Sequence, residues 1–289
     1  MATELERITV SSPGPARLYE RAAPGTGGGG GELDALWHLD EGRTFFAGPL
    51  DYNASHQHGA PVYLAGLYGR FGLRVEGGRW LSVRTAVIPA GVRHELQLGG
   101  QPIGVFYIEP DLAGVDALTP LVRDTSEDGG ALVGRTGEVG ALRTLYESRD
   151  ATRWAGVALS DLLGFSRQRA RREIDPRIAR VVAGMSAEAV TALGVLTPVA
   201  RLAGAVGLSA SRFQHLFTRE VGVPFRRYRA WQRMRGAIRG IVRGRTFTEA
   251  AHAAGFADQA HFGHDFRRTF GAAASRSLSF IRTPDAGPG

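Results

Sequence analysis

The chain has 289 residues, 43% hydrophobic and 22% charged, enough for two domains that each bury a core. It has no cysteine, which excludes disulfides and thiolate metal sites, and no apolar run approaches the roughly 18 residues of a membrane span. Charge is divided unevenly: residues 1–175 carry 18 Arg against 22 acids, net −4, while residues 176–289 carry 17 Arg against 6 acids, net +11. A basic half beside an acidic half points to a polyanion partner for the basic half.

The first residues, MATELERITV, hold acids and no apolar h-region, so the expected location is the cytoplasm. Residues 1–32 close in the run Gly27–Gly31 and read as a flexible arm, because such a sequence cannot repay its ordering entropy. Residues 33–137 read as a β domain. Short apolar runs at Thr44–Phe46, Val62–Tyr68, Leu73–Glu76, Thr85–Ile88 and Val105–Ile108 alternate with glycine turns, the pattern of a sandwich or barrel.

Two fragments narrow that reading, His56-Gln57-His58 and Pro89-Ala90-Gly91-Val92-Arg93-His94. They resemble the HxH and PxGxxH halves of the cupin jelly roll. In a strand, residues i and i+2 share a face, so His56 and His58 can point inward together, with His94 arriving from a neighbouring strand. Three imidazoles converging in this way could hold a divalent metal. The Glu that metal-binding cupins place shortly after HxH is missing, since Gly59 to Leu67 contain no acid. The alternative is that His56, His58 and His94 line an effector pocket, with Tyr63 and Trp80 as further candidates, or bond backbone carbonyls.

Residues 138–175 read as interdomain helices, with one stripe at Val139, Leu142, Leu145 and Tyr146 and another at Trp154, Val157, Leu162 and Phe165. They are expected to pair two subunits, to cover the barrel, or both. Arg167–Arg172 reads as a solvated helix end or linker.

From residue 176 to 280 the chain writes one pattern twice. Ala203 and Gly207 recur 48 residues later as Ala251 and Gly255; Ser209, Phe213, Phe217 and Gly222 recur 49 later as Asp258, Phe262, Phe266 and Gly271. Each copy reads as helix, turn, helix. Glycine ends the first helix, Ser209 or Asp258 caps the second, and two phenylalanines four apart bury one face. Between the copies, Pro224 opens a long amphipathic helix. Its outer face (Arg226, Arg227, Arg229, Arg233, Arg235, Arg239) reads as basic and solvent-facing. Residues 281–289 read as a disordered tail.

The stretch LTPVARLAGAVGLSASRFQHLFTREVGVPFRRYRAWQRM followed by FTEAAHAAGFADQAHFGHDFRRTFG resembles the AraC/XylS family of transcription regulators, over about residues 176–280. Ala274 stands where the family usually has proline. The resemblance implies an α+β chain of two domains: an N-terminal cupin-like jelly roll, a helical linker, and an all-α C-terminal domain with two helix-turn-helix motifs joined by a long helix. It implies a homodimeric regulator of double-stranded DNA that senses a small-molecule effector and is not an enzyme, with RNA polymerase as a further candidate partner. Base contacts fall to Ser211, Gln214 and His215 in the first recognition helix and to Gln259, Ala260, His261 and His264 in the second. Phosphate contacts fall to Arg212, Thr218, Arg219, Arg267 and Arg268. The rival is a metal-dependent cupin enzyme carrying a DNA-binding tail.

Overall fold

A computed structural model describes residues 34–40, 42–110, 114–148, 150–167, 174–191, 197–278 and 281. The expected arm, the RQRARR linker beyond residue 167 and most of the tail lie outside the described residues.

The N-terminal domain is a sandwich of two antiparallel sheets. The larger contains β1 (Leu36–Leu39), β2 (Arg43–Pro49), β4 (Val62–Gly66), β7 (Thr85–Ile88), β9 (Pro102–Ile108), β10 (Val122–Asp128) and β11 (Ala131–Gly137), in the order β1-β2-β9-β4-β7-β11-β10. The smaller contains β3 (Tyr52–His56), β5 (Phe71–Val75), β6 (Trp80–Val83) and β8 (His94–Gln97), in the order β3-β8-β5-β6. Strand β10 has no apolar run to betray it, unlike β11, which opens with Ala131-Leu132-Val133. Arg123 to Glu127 are exposed, and a Gly129-Gly130 turn with positive φ closes the pair.

Strands β4 and β9 are buried on both faces, and this decides where every side chain in them goes. Val62 and Leu64 face the sandwich interior with Val105 and Tyr107, while Tyr63 and Ala65 face outward with Phe106 and Ile108. Two helices cover that outward face, α1 (Gly140–Glu147) and α2 (Ala151–Arg167). Leu142, Leu145 and Tyr146 of α1 are fully or nearly fully buried against it. On α2 the inward positions are Ala151, Ala155, Leu159, Leu162 and Leu163, so Val157 points out and is 66% exposed. The second stripe expected from the sequence is therefore corrected at Val157; Leu162 is buried as expected, Trp154 packs against the same core, and the Phe165 side chain lies outside the described residues. Small residues at four-residue steps, Ala151 and Ala155, let the helix lie close to the sheet, and Val157 falls on the opposite side.

The C-terminal domain is all α. α3 (Pro176–Thr191) starts after Asp175, which accepts from the Arg177 amide at 2.9 Å. The Arg177 guanidinium beside it lowers the Asp175 pKa to about 2. α4 (Val199–Ala205) and α5 (Ala210–Val221) form the first helix-turn-helix, and α7 (Phe247–Ala253) and α8 (Gln259–Phe270) the second, followed by a short α9 (Ala274–Leu278). α6 (Phe225–Val242) runs between them for 18 residues, about 27 Å at ~1.5 Å per residue.

The two domains share one core. A single apolar cluster runs from Trp37, Phe46 and Tyr107 in the sandwich to Trp231, Phe266 and Phe270 in the helices. Among the described residues no helix is long and apolar enough to cross a membrane.

Candidate nucleic-acid interface and the seam behind it

Both turns have the geometry that their glycines require. Gly207 and Gly255 take φ of +69° and +80°. In each, the next residue's amide reaches back five positions, Leu208 to Ala203 and Phe256 to Ala251, both at 2.9 Å, closing the helix end. Ser209 then caps α5 by accepting from the Arg212 amide at 3.3 Å, and Asp258 caps α8 by accepting from the His261 amide at 2.7 Å. Phe213 and Phe217, like Phe262 and Phe266, are fully buried.

That burial fixes what faces out. On α5, Ser211, Arg212, Gln214, His215, Thr218 and Arg219 are exposed. On α8, Gln259, Ala260, His264, Arg267 and Arg268 are exposed, and Gln259, His264 and Arg267 share an open groove with Ala273 and Ser275. His261 is different. Its Nδ1 accepts from the Ala257 amide at 3.3 Å, its ring meets the edge of Phe256, and its Nε2 lies 3.6 Å from Asp265. It braces the turn.

The basic outer face expected on α6 is corrected by the structure. Arg235 and Arg239 are only 1% and 5% exposed. Arg235 donates to the Thr44 hydroxyl at 2.9 Å and to the Asp40 carbonyl at 2.6 Å, and Arg239 donates to the same carbonyl at 2.7 Å. Arg227 donates to Gln57, Arg229 to the Thr197 carbonyl, and Arg233 lies over Phe256 and pairs with Asp265. Most of that arginine face is spent inside the protein, holding α6 to the sandwich and to α8.

Glu109, just past β9, is the centre of the seam. It is 1% exposed and accepts from Tyr228 at 2.7 Å, Trp231 at 2.9 Å and Gln232 at 2.6 Å, and it pairs with Arg235 at 3.0 Å. Sequence reasoning missed it, because one acid at a strand end gives no pattern. The available clue was an α6 whose Tyr228, Trp231 and Gln232 all carry donors on one side.

The histidines meet as expected and stand on the same seam. His56 and His94 pair across β3 and β8, and His58 follows two residues on. The rings lie 4.2 to 5.0 Å apart, centroid to centroid. Burial holds all three below the usual imidazole pKa, His94 at about 4, so they are neutral at pH 7. Beside His56 and His58, though not lined by His94, is a cavity of about 30 Å³ bounded by Trp37, Phe46, Leu64 and Tyr107 from the sandwich and by Phe266 and Phe270 from α8. Tyr63 and Trp80 are absent from this lining. Tyr63 faces the other core, where its hydroxyl donates to the Leu121 and Glu138 carbonyls, because it alternates with Val62 and Leu64. Trp80 lies on the outer side of edge strand β6 under the Arg74 guanidinium.

A β sandwich locked to a helical domain with two capped, outward-facing recognition helices defines a two-domain DNA-binding regulator. Comparison with known proteins agrees. Residues 202–278 match a helix-turn-helix domain family. The chain is 25% identical over 240 residues to the HTH-type transcriptional regulator NimR of Escherichia coli K12, covering 79% of this chain and 83% of that one. Its fold is similar to that of ToxT from Vibrio cholerae. One ToxT structure, bound to an unsaturated fatty acid, superposes with a TM-score of 0.55 at 14% identity over 84% of this chain and 97% of that one. Another, bound to (E)-4-(8-methylnaphthalen-1-yl)but-3-enoic acid, gives 0.52 at 12% identity over 83% and 99%. The chain is similar throughout to DNA-binding transcription regulators, in agreement with the AraC/XylS resemblance of its sequence.

Proposed function

We propose that α5 and α8 read base edges in neighbouring major grooves of double-stranded DNA, and that the sandwich senses a small molecule. The observation that carries the first half is the pair of capped helices with exposed Ser211, Gln214 and His215 on one and Gln259, Ala260 and His264 on the other. Histidine cannot grip guanine bidentately as arginine does, so His215 and His264 each supply a single hydrogen bond to a base or phosphate. His261 contributes less, being engaged with its own turn. Arg212, Thr218, Arg219, Arg267 and Arg268 hold phosphates. The test is binding of the purified chain to DNA fragments selected from a random pool, measured against salt. A protein neutralising about six phosphates gives a log–log slope near −5, and a flat response overturns the reading.

The effector enters, in this reading, at the seam. A cavity of about 30 Å³ has room for one or two waters. A larger effector makes room by moving lining side chains, and where these are Phe266 or Phe270 it acts on the second recognition helix directly. The two ToxT ligands are both apolar carboxylic acids. An unsaturated fatty acid is therefore the first probe, expected to change specific DNA affinity at least threefold. The protein acts in the cytoplasm, with RNA polymerase as a partner at the promoter.

A homodimer through residues 138–168 belongs to this reading. Leu142 and Leu145 are spent inside the protomer, so the outward side of α2, where Val157 stands, is what remains for pairing. Light scattering is expected to find a dimer for the wild type and a monomer for Val157→Asp. A monomeric wild type removes the dimer.

A further inference from the structure

Three buried imidazoles without an acid among them call for an explanation. His56 Nδ1 donates to the Ala54 carbonyl at 2.7 Å and His94 Nδ1 to the Val92 carbonyl at 3.2 Å. His58 Nε2 lies 3.3 Å from the Tyr107 hydroxyl. The carbonyl bonds fix the tautomers of His56 and His94 with the Nε2 lone pair bare, and His58 Nδ1 is bare in the tautomer whose Nε2 donates to Tyr107. Among the described residues, His58 Nδ1 and His94 Nε2 have no hydrogen-bond partner although buried. Leaving such groups unmatched is unfavourable, because burial takes away the water that would otherwise satisfy them. A backbone or side-chain partner on the outer nitrogen, with the inner nitrogen bare, is the arrangement that orients metal-binding histidines. One nitrogen of each ring lies within 4.8 Å of the others. Three ligands at the ~2.0–2.1 Å of a metal–imidazole bond stand roughly 3.3 Å apart, so a sub-ångström to one-ångström contraction completes the site. The all-imidazole donor set suits zinc, cobalt, nickel, copper or ferrous iron and not magnesium or calcium.

The same segment holds the second helix-turn-helix. Asn53 donates to the Phe270 carbonyl at 2.9 Å, and the Ala54 amide donates to the Gly271 carbonyl at 3.0 Å. Gly271 caps α8 with φ +70° and lies so close to Ala54 and His56 that a side chain there would strike both. The Phe270 ring is 5.7 Å from the His58 ring, centroid to centroid. The register between β3 and β8 is irregular over Asn53 to His56, the stretch that joins the ligands to these contacts.

We propose that His56, His58 and His94 bind one divalent transition-metal ion, and that this ion fastens the end of β3 on which α8 is docked, so that DNA binding responds to metal. Without the ion, His58 Nδ1 and His94 Nε2 go unmatched and the segment from Asn53 to His58 loosens. With it, the segment is drawn together and α8 is held from behind. The base-reading side of α8 is open while its C-terminal end is docked, so the bound state pre-orders the second recognition helix and raises affinity.

The inference rests on the DNA-binding reading and is tested apart from it. The full chain is stripped with a chelator and titrated with Zn²⁺ by calorimetry and with Co²⁺ by visible absorption. One ion per chain at micromolar Kd or tighter is expected, abolished in His58→Gln and in His94→Gln and retained in His252→Gln on exposed α7. Metal-free melting curves of the histidine variants at or above the wild-type value show that the fold survives. Hydrogen exchange at Ala54 is expected to slow at least tenfold on metal addition, and DNA affinity to rise at least threefold, in wild type only. Absence of stoichiometric binding, or binding unaffected by His58→Gln, overturns the site. Binding that leaves Ala54 exchange and DNA affinity unchanged overturns the coupling. A metal-free chain that still shows the salt-dependent DNA binding leaves the DNA reading standing in either case.

Discussion

Replacing Glu109 with alanine is expected to separate the two domains' unfolding. In the wild type one carboxylate accepts three hydrogen bonds from α6 and neutralises Arg235, with every partner buried. Removing it takes an ion-pair partner from the buried Arg235 and the acceptor from three buried donors, and breaking a buried pair from one side costs about 3–5 kcal/mol. The loss falls on the contact between α6 and the sandwich, not on either domain's own core. Calorimetry is therefore expected to show one coupled transition in the wild type and two resolved transitions in Glu109→Ala. Glu109→Gln keeps the acceptor oxygen but not the charge, and is expected to fall between them. A single transition at the wild-type temperature in Glu109→Ala would mean that the apolar cluster alone joins the domains. Functionally, a released helical domain no longer reports on the cavity, so the fatty-acid probe should cease to alter DNA affinity while DNA binding itself persists.

The second large effect is expected at Gly255. Its φ of +80° lies in the left-handed region, where a β-branched side chain is strained by roughly 1–2 kcal/mol or more. Gly255→Val escapes by shifting the turn, and the turn decides where α8 points relative to α7. The base contacts of one recognition helix are then lost. At about 1–3 kcal/mol for each good base contact, specific affinity should drop on the order of a hundredfold. Non-specific binding, carried by phosphates, should change little. Gly207→Val repeats the experiment in the first motif, with α8 unaffected. Circular dichroism in the β region checks that the sandwich is intact. Full specific affinity in Gly255→Val would show that the second motif does not read DNA.

The DNA-binding half was legible because its determinants are local. A glycine that must take positive φ, a cap residue two or three positions on, and phenylalanines four apart are all set within twenty residues. Written twice with an offset of 48 or 49, they specify Ser211, Gln214, His215, Gln259 and His264 as outward without any knowledge of the rest of the chain. The convergence of His56, His58 and His94 was legible only in part: antiparallel pairing sets His56 opposite His94, whereas His58 lies two residues past the end of β3, where strand alternation no longer dictates its facing.

What failed to show in the sequence depends on which surfaces meet. An arginine on a helix face looks the same whether it meets water or a carbonyl 2.6 Å away, so Arg235 and Arg239 read as solvated when they are buried. Tyr63 read as a pocket residue because alternation says that neighbours face opposite ways but not which way is in, and β4 is covered on both faces. Leu142 and Leu145 formed an apolar stripe whose partner could have been a second subunit; the outward face of the larger sheet took it first. Local geometry fixed the helices, the turns and the facing of their side chains. The docking of α6 on Glu109, and of α8 over the histidines, was settled only when two surfaces distant in the chain were pressed together, because burial and desolvation are properties of both surfaces at once.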